Sequence, residues 1–213
     1  MIIVLFGKPG AGKGTQAPLL AAALGVPTLA TGDELRAAIR AGTDLGREAK
    51  GYMDRGDLVP DAVILGIIKA ALAEPRHARG VLLDGVVRTV PQAEGLAKVC
   101  AELGTQVDAV LCFDIDDDEI VHRLASRTIC EKCQTPRGDA QPGDPCQQPG
   151  CGGRLVRRKD DEPEAIRNRL AVYERQTAPV LHWYRQHGTR VAVIDAVGSV
   201  QDVTARALGA LAG

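Results

Sequence analysis

The chain has 213 residues, with 26 basic and 27 acidic side chains and a net charge of −1. That balance excludes a globally basic nucleic-acid or membrane binder, and an aromatic content of 3% leaves no stacking platform for single-stranded nucleic acid. One compact unit of this length buries roughly 70% of the surface its unfolded chain exposes, enough for a core without covalent staples.

Met1 to Phe6 is apolar, but Gly7 and Lys8 follow at once. The run is too short for a signal-peptide core, and no segment approaches the ~20 apolar residues of a membrane span. The sequence therefore predicts a cytoplasmic protein, where clustered cysteines are metal ligands before they are disulfides. Ile2–Phe6 reads as a buried strand that runs into Gly7-Lys8-Pro9-Gly10-Ala11-Gly12-Lys13-Gly14-Thr15. This is a near match to the G-x-x-x-x-G-K-[ST] phosphate loop, with Gly14 inserted before the hydroxyl residue. Glycines let backbone N–H groups curl around a polyphosphate, and a lysine and a helix N-terminus face its charge. Gly10, Ala11, Gly12, Lys13, Gly14 and Thr15 are the candidate polyphosphate cradle, with the Lys13 side chain expected to face solvent. Pro18 sits inside the helix that follows and is expected to bend it slightly.

Further along, Thr28–Ala30, Val81–Asp84, Ala109–Ile115 and Val191–Asp195 read as strands apolar on both faces. Between them lie helical patterns: Asp33 to Ala41 closed by Gly42, Thr43 to about Arg55 closed by Gly56, and one opening at Pro163 with acidic residues ahead of it. Strands alternating with helices predict an α/β fold, a five-stranded parallel sheet with helices on both faces. Asp84 ends its strand beside the phosphate loop and is the candidate carboxylate for Mg²⁺, held through water. Arg123 and Arg127, four apart on a predicted helix, should project from one face. The four histidines, at 77, 122, 182 and 187, are scattered and read as surface or core residues. Arginines outnumber lysines 19 to 7, which suits phosphate recognition by planar donor forks but equally follows from codon usage.

From Cys130 to Arg154 the apolar rhythm stops and four of the six cysteines appear. Cys130 and Cys133 form one short hook, Cys146 and Cys151 a second, which is the logic of a zinc ribbon. A four-thiolate structural Zn²⁺ is the leading reading; a metal-free or disulfide-bonded loop, and Asp144 as a substitute ligand, are its alternatives. Four thiolates leave no open position, so the metal would not be catalytic. Cys100 and Cys112 read as small buried residues.

The Gly-Lys-Pro-Gly-Ala-Gly-Lys-Gly-Thr-Gln form of the loop resembles the nucleoside monophosphate kinases. So do Thr31-Gly32-Asp33-Glu34-Leu35-Arg36, Asp84-Gly85-Val86-Val87-Arg88-Thr89 with Gln92, and Arg158-Lys159-Asp160-Asp161 followed by Arg167-Asn168-Arg169. Taken in order over nearly the whole chain, these segments resemble the adenylate kinase family, in its long form with a zinc-binding lid. The resemblance implies a P-loop nucleotide kinase fold and Mg²⁺-dependent phosphoryl transfer from ATP to AMP, giving two ADP. It implies a core of residues 1–29, 61–121 and 163–213, a monophosphate-binding insertion at 30–60 and a lid at 122–162. It places Arg123, Arg127, Pro136, Arg137 and Gly198 on ATP, and Arg36 and Arg88 on the AMP phosphate. Thr31, Asp57, Leu58, Val59, Gly85, Val86, Val87 and Gln92 fall around the rest of AMP, with Arg158 and Arg169 clamping phosphates when the lid closes. Lys13, Asp84, Arg88, Arg123, Arg127, Arg158 and Arg169 are its catalytic set.

Two departures stand out. Pro136 and Arg137 stand where the family places an aromatic; Arg137 either stacks on adenine or is solvated. Val86-Val87 replaces Phe-Pro, and looser packing of the acceptor base with weaker AMP use is expected. A monomer without nucleic-acid or membrane partners is the leading expectation. Its rivals are a kinase for another monophosphate, a zinc-ribbon nucleic-acid-binding ATPase using the Arg-rich stretch from Arg123 to Arg175, and a weak nucleotide sensor.

Overall fold

The computed structural model describes residues 1–138 and 140–212, so Asp139 of the expected lid and Gly213 of the expected core lie outside the described residues. In chain order it runs β1 (Ile2–Gly7), α1 (Lys13–Leu24), β2 (Thr28–Ala30), α2 (Thr31–Ala41), α3 (Asp44–Arg55), α4 (Asp61–Leu72), β3 (Val81–Asp84) and α5 (Val90–Glu102). Then come β4 (Ala109–Asp114), α6 (Asp117–Ser126), the short strands β5 (Thr128–Cys130), β6 (Pro136–Arg137) and β7 (Leu155–Val156), and α7 (Pro163–Val172). One π turn, Tyr173–Thr177, leads into α8 (Ala178–Gln186), β8 (Arg190–Asp195) and α9 (Val200–Ala212).

Five strands form a parallel sheet in the order β2-β3-β1-β4-β8, as the alternation of strands and helices predicts. β1 is central and buried along its whole length, because its neighbours β3 and β4 cover both edges and helices cover both faces. One apolar layer joins Val4 and Phe6 to Ile68, Leu96, Val180 and Tyr184; the other joins Ile3 and Leu5 to Leu20, Ile120, Leu124 and Val203. Each such aliphatic side chain contributes about 1.5–3 kcal/mol by leaving water. The edge strands β2 and β8 depart from the expected two-sided burial: Thr28 of β2 is exposed, and Val193 of β8 is 57% exposed. It lies at the sheet edge, and its apolar character satisfies one face, not two.

The chain crosses β1 at the C-terminal end of the sheet into the phosphate loop, and β3 ends at Asp84 beside it. That places loop, carboxylate and the segment after β3 at one end of the strands, where open parallel sheets gather their ligands. A second, antiparallel sheet of three short strands, β6-β5-β7, is built from the stretch containing the cysteine hooks. No helix of the described residues is long and apolar enough to cross a membrane.

Candidate active site

The phosphate loop folds as its glycines require. Gly12 caps α1 in a left-handed conformation, φ +93°, and Gly10 has φ +87° with Leu124 so close that a Cβ would come within 2.9 Å of its Cγ. Lys13 does not face solvent, in contrast to expectation. Its Nζ turns back and donates to the carbonyls of Gly7 at 2.6 Å and Lys8 at 2.8 Å. Burial pulls its ammonium down to about 8, Arg88 and Arg169 assisting and Asp84 opposing. Burial likewise raises the Asp84 carboxyl, against the pull of Lys13. A Cβ on Gly14 would stand 3.5 Å from Asp84 Oδ2, so the carboxylate looks onto the loop where a phosphate-bound divalent cation would lie. Its hard oxygen donors fit Mg²⁺.

One pocket brings together most of the expected acceptor residues. Thr31, Arg36, Asp57, Leu58, Val59, Gly85, Val86, Arg88, Gln92, Arg158 and Arg169 all line it. Val87 does not: it is buried in the core behind the wall. Four guanidinium groups from α2, the β3–α5 turn, the end of the lid and α7 thus converge. Carboxylates hold them in place. Arg158 makes a two-pronged pair with Asp160, at 2.9 and 2.7 Å, and Arg169 reaches Asp161 at 3.0 Å. Arg36 pairs with Asp33. Burial lowers Arg88, and lowers Arg169 to about 10. Although burial opposes it, the Asp160 carboxyl is held far below the usual carboxylate range by Arg158 and Arg169. The cations exceed what these acids neutralise in reach of Lys13, and the arrangement suits a multiply charged phosphate.

The Arg88 backbone is tightly fixed. Its N–H donates to Gln92 Oε1 at 2.7 Å, its Nε to the Gly85 carbonyl at 2.9 Å, and its carbonyl accepts from the Thr177 hydroxyl at 2.8 Å. No cis peptide bond occurs among the described residues, and Val86 is fully buried.

The donor side is less gathered. Arg123 and Arg127 do not share a helix face, because α6 ends at Ser126 and Arg127 is already extended. Arg123 pairs with Glu119 at 2.8 Å and donates to the Ala196 carbonyl at 3.2 Å, close in the chain to Gly198. Arg127 turns the other way and its Nε donates to Asp161 at 2.7 Å, on the carboxylate that Arg169 also uses. Pro136 and Arg137 form β6, the edge of the lid sheet, with the Arg137 carbonyl accepting from the Thr128 hydroxyl.

The four lid sulfurs meet. Cys130, Cys133, Cys146 and Cys151 lie within 4.8 Å of one another, with Cys130–Cys151 at 3.5 Å and Cys133–Cys146 at 3.6 Å. Tetrahedral Zn–S bonds of ~2.3 Å require sulfurs ~3.8 Å apart, so the set fits a zinc ion. The amides of Lys132 and Gln148 point at Cys130 and Cys146 from two residues on, both at 3.4 Å, a geometry that favours thiolate. Gly153 is required there: a Cβ would fall 2.6 Å from Cys130 Sγ. The Thr135 hydroxyl and amide pull Cys133 down to about 6; Cys146, although the Gln148 amide lowers it, is pushed up to about 12 by desolvation and its thiol neighbours. All six cysteines are free, and the ligand cluster is the four cysteines without Asp144, whose Oδ2 accepts from the Gln141 amide. The wide second hook is accommodated by a turn from Gln148 to Cys151.

Several residues of the site carried no signal of their own. Asp160 and Asp161 follow Arg158-Lys159 in the chain, and no feature of the sequence assigned them a role. Leu35, Met53 and Ile64 supply the apolar wall. Thr177 and Asp61 are distant in sequence from the groups they hold.

Comparison with known proteins follows the same outline. The family model described as adenylate kinase matches residues 5–189. The chain is 60% identical to an adenylate kinase of Gemmatimonas aurantiaca, over 99% of each chain. It is 47% identical to one of Methanothrix thermoacetophila, over 95% of this chain and 94% of that one. It is also 47% identical to one of Streptomyces griseus, over 99% and 97%.

Proposed function

The chain belongs to the adenylate kinase family and catalyses reversible, Mg²⁺-dependent phosphoryl transfer from ATP to AMP, giving two ADP; we propose the following division of that work among its residues. Lys13 and the amides of Gly10 to Thr15 take the ATP phosphates, and Arg123 and Arg127 reach the transferring phosphoryl group and the donor nucleotide. Pro136, Arg137 and Gly198 flank the donor adenosine. Arg36 and Arg88 hold the AMP phosphate, and Thr31, Gln92, Gly85, Val86 and the Asp57–Val59 segment surround its nucleoside, with Val87 backing the wall. Arg158 and Arg169 stand between the two and stabilise charge on the phosphoryl group in flight. Phosphoryl transfer asks for this kind of positioning and neutralisation, not for acid–base chemistry. Mg²⁺, held near Asp84, neutralises phosphate charge when bound, and Zn²⁺ orders the lid.

Residues 1–29, 61–121 and 163–213 act as a fixed core, while 30–60 and 122–162 close over AMP and ATP and exclude water that would otherwise take the phosphoryl group. The enzyme works as a cytoplasmic monomer without nucleic acid.

The observation that carries this reading is the meeting of Arg36, Arg88, Arg158 and Arg169 in one pocket with Thr31 and Gln92. A coupled assay of ADP formation from ATP, run with AMP, GMP, CMP and UMP and with and without Mg²⁺, tests it. AMP should lead by a wide margin; equal rates with a pyrimidine monophosphate would overturn the acceptor assignment.

A further inference from the structure

Gln92 is 1% exposed, and both ends of its amide are engaged by partners that allow one orientation only. Oε1 accepts from the Arg88 backbone N–H at 2.7 Å, and Nε2 donates to Asp61 Oδ1 at 2.7 Å. A backbone N–H can only donate and a carboxylate can only accept, so turning the amide over would oppose donor to donor and acceptor to acceptor. Asp61 is itself fixed: it opens α4, and the same oxygen accepts from the Thr89 hydroxyl at 3.1 Å.

An amide has two donor hydrogens and two acceptor lone pairs. Arg88 and Asp61 use one of each, leaving one donor and one acceptor for the pocket that Gln92 lines. Adenine presents the complement on its Watson–Crick edge, an amino donor beside the N1 acceptor. Guanine presents the reverse, an oxygen acceptor beside an N1–H donor. A freely turning glutamine could read either base; a locked one reads adenine.

We propose that Asp61 is a specificity-determining positioning residue, which holds the Gln92 amide against inversion and so makes the acceptor pocket select an adenine over a guanine monophosphate. The carboxylate does not touch the substrate. It acts through Gln92 by making the wrong orientation repulsive, the element a specific site needs besides its attractive contacts. The inference rests on the assignment of Gln92 to the acceptor base.

The experiment measures kcat/KM for AMP and for GMP, each with ATP, in four proteins: the parent, Asp61→Asn, Gln92→Ala and the double variant. Asp61→Asn keeps the shape of the side chain but offers an amino group that an inverted Gln92 oxygen can accept from, removing one of the two bars to inversion and leaving the Arg88 N–H as the other. The AMP:GMP ratio is expected to fall on the order of tenfold, the worth of one hydrogen bond to a charged partner, with the GMP value itself rising. In the Gln92→Ala background the same change should leave the ratio where Gln92→Ala put it. Parallel loss of AMP and GMP activity in Asp61→Asn, with the ratio unchanged, would reduce Asp61 to a helix-end support and overturn the proposal. If Gln92→Ala leaves the parental ratio intact, Gln92 does not read the base and the acceptor assignment itself fails. Should Asp61→Asn not fold, Asp61→Ser, whose hydroxyl gives or takes a hydrogen bond, carries the same test with the same outcomes.

Discussion

The two sheets of this molecule are stabilised in opposite ways. The five-stranded sheet buries its central strands β3, β1 and β4 between two apolar layers, and its position is set by the hydrophobic effect. The lid sheet has strands of two and three residues; Thr128, Ile129, Cys130 and Leu155 are its buried side chains. A core of that size is small to stand alone in water, and a zinc ion on the four thiols would supply order. At the seam between them, Arg158 and Arg169 reach from the lid's end and α7 into one pocket. The half that holds the phosphate loop has its own apolar core; under the function proposed above, the lid with its small core carries Arg158, while Arg169 on α7 stays with the core.

The largest break in that contrast should come from Lys13→Ala. Removing the charge that faces the phosphoryl group should lower kcat by roughly 10²–10³-fold. Because burial already disfavours the ammonium, the melting temperature should hold or rise. A folded variant with near-normal kcat would remove the phosphate-loop assignment.

Stripping Zn²⁺ with a chelator tests the other half. Finger peptides gain ~10–16 kcal/mol from such sites, and here most of that should go to local order in the lid. Hydrogen exchange should accelerate for amides in 128–156 while β1 and β4 stay protected. Equal loss of protection in both sheets would show that the lid is not a separately stabilised unit.

Thr177→Val probes how the core aims a clamp. Losing one neutral hydrogen bond to the Arg88 carbonyl is worth about 1 kcal/mol, so KM for AMP should rise about fivefold, with Thr177→Ser restoring it. A fall in melting temperature with KM unchanged would assign Thr177 to stability alone.

The smallest effect is a proton. Lys13 titrates near 8 instead of 10.5, so the fold disfavours its charged form, and that penalty fades as pH rises from 8 towards 10.5. Polyphosphate would restore the higher value. ATP binding should therefore take up protons around pH 8 to 9, and affinity should fall by less than tenfold per pH unit above that range. Lys13→Arg, charged throughout, should show no such uptake; an identical calorimetric proton count in both proteins would point to another group.

Much of this was legible in the chain. The run Ile2–Phe6 into Gly7-x-x-Gly10-x-Gly12-Lys13 marks a strand, a turn and a helix start, because each depends on residues adjacent in sequence. Cys130, Cys133, Cys146 and Cys151 announced a ligand set by spacing, and Gly42 and Gly56 closed helices as left-handed caps do. Arg127 misled for a physical reason: spacing of four implies a shared face only while the helix continues, and α6 stops one residue short. Lys13 misled because the sequence does not show that Gly7 and Lys8 turn their carbonyls towards its ammonium.

The sequence by itself determined the alternation of strands and helices, the phosphate-binding turn, the thiol cluster and the presence of enough arginine to bind phosphate. These follow from local periodicity, glycine conformation and side-chain chemistry. Only the tertiary structure decided which arginines share a pocket, that Asp160 and Asp161 orient them, and that Thr177 and Asp61 hold Arg88 and Gln92 from 89 and 31 residues away. Contacts of that separation are set when helices pack on a sheet. Burying apolar faces fixes where each helix sits, and the polar groups that then face one another are a consequence of that packing, with no periodic trace in the chain.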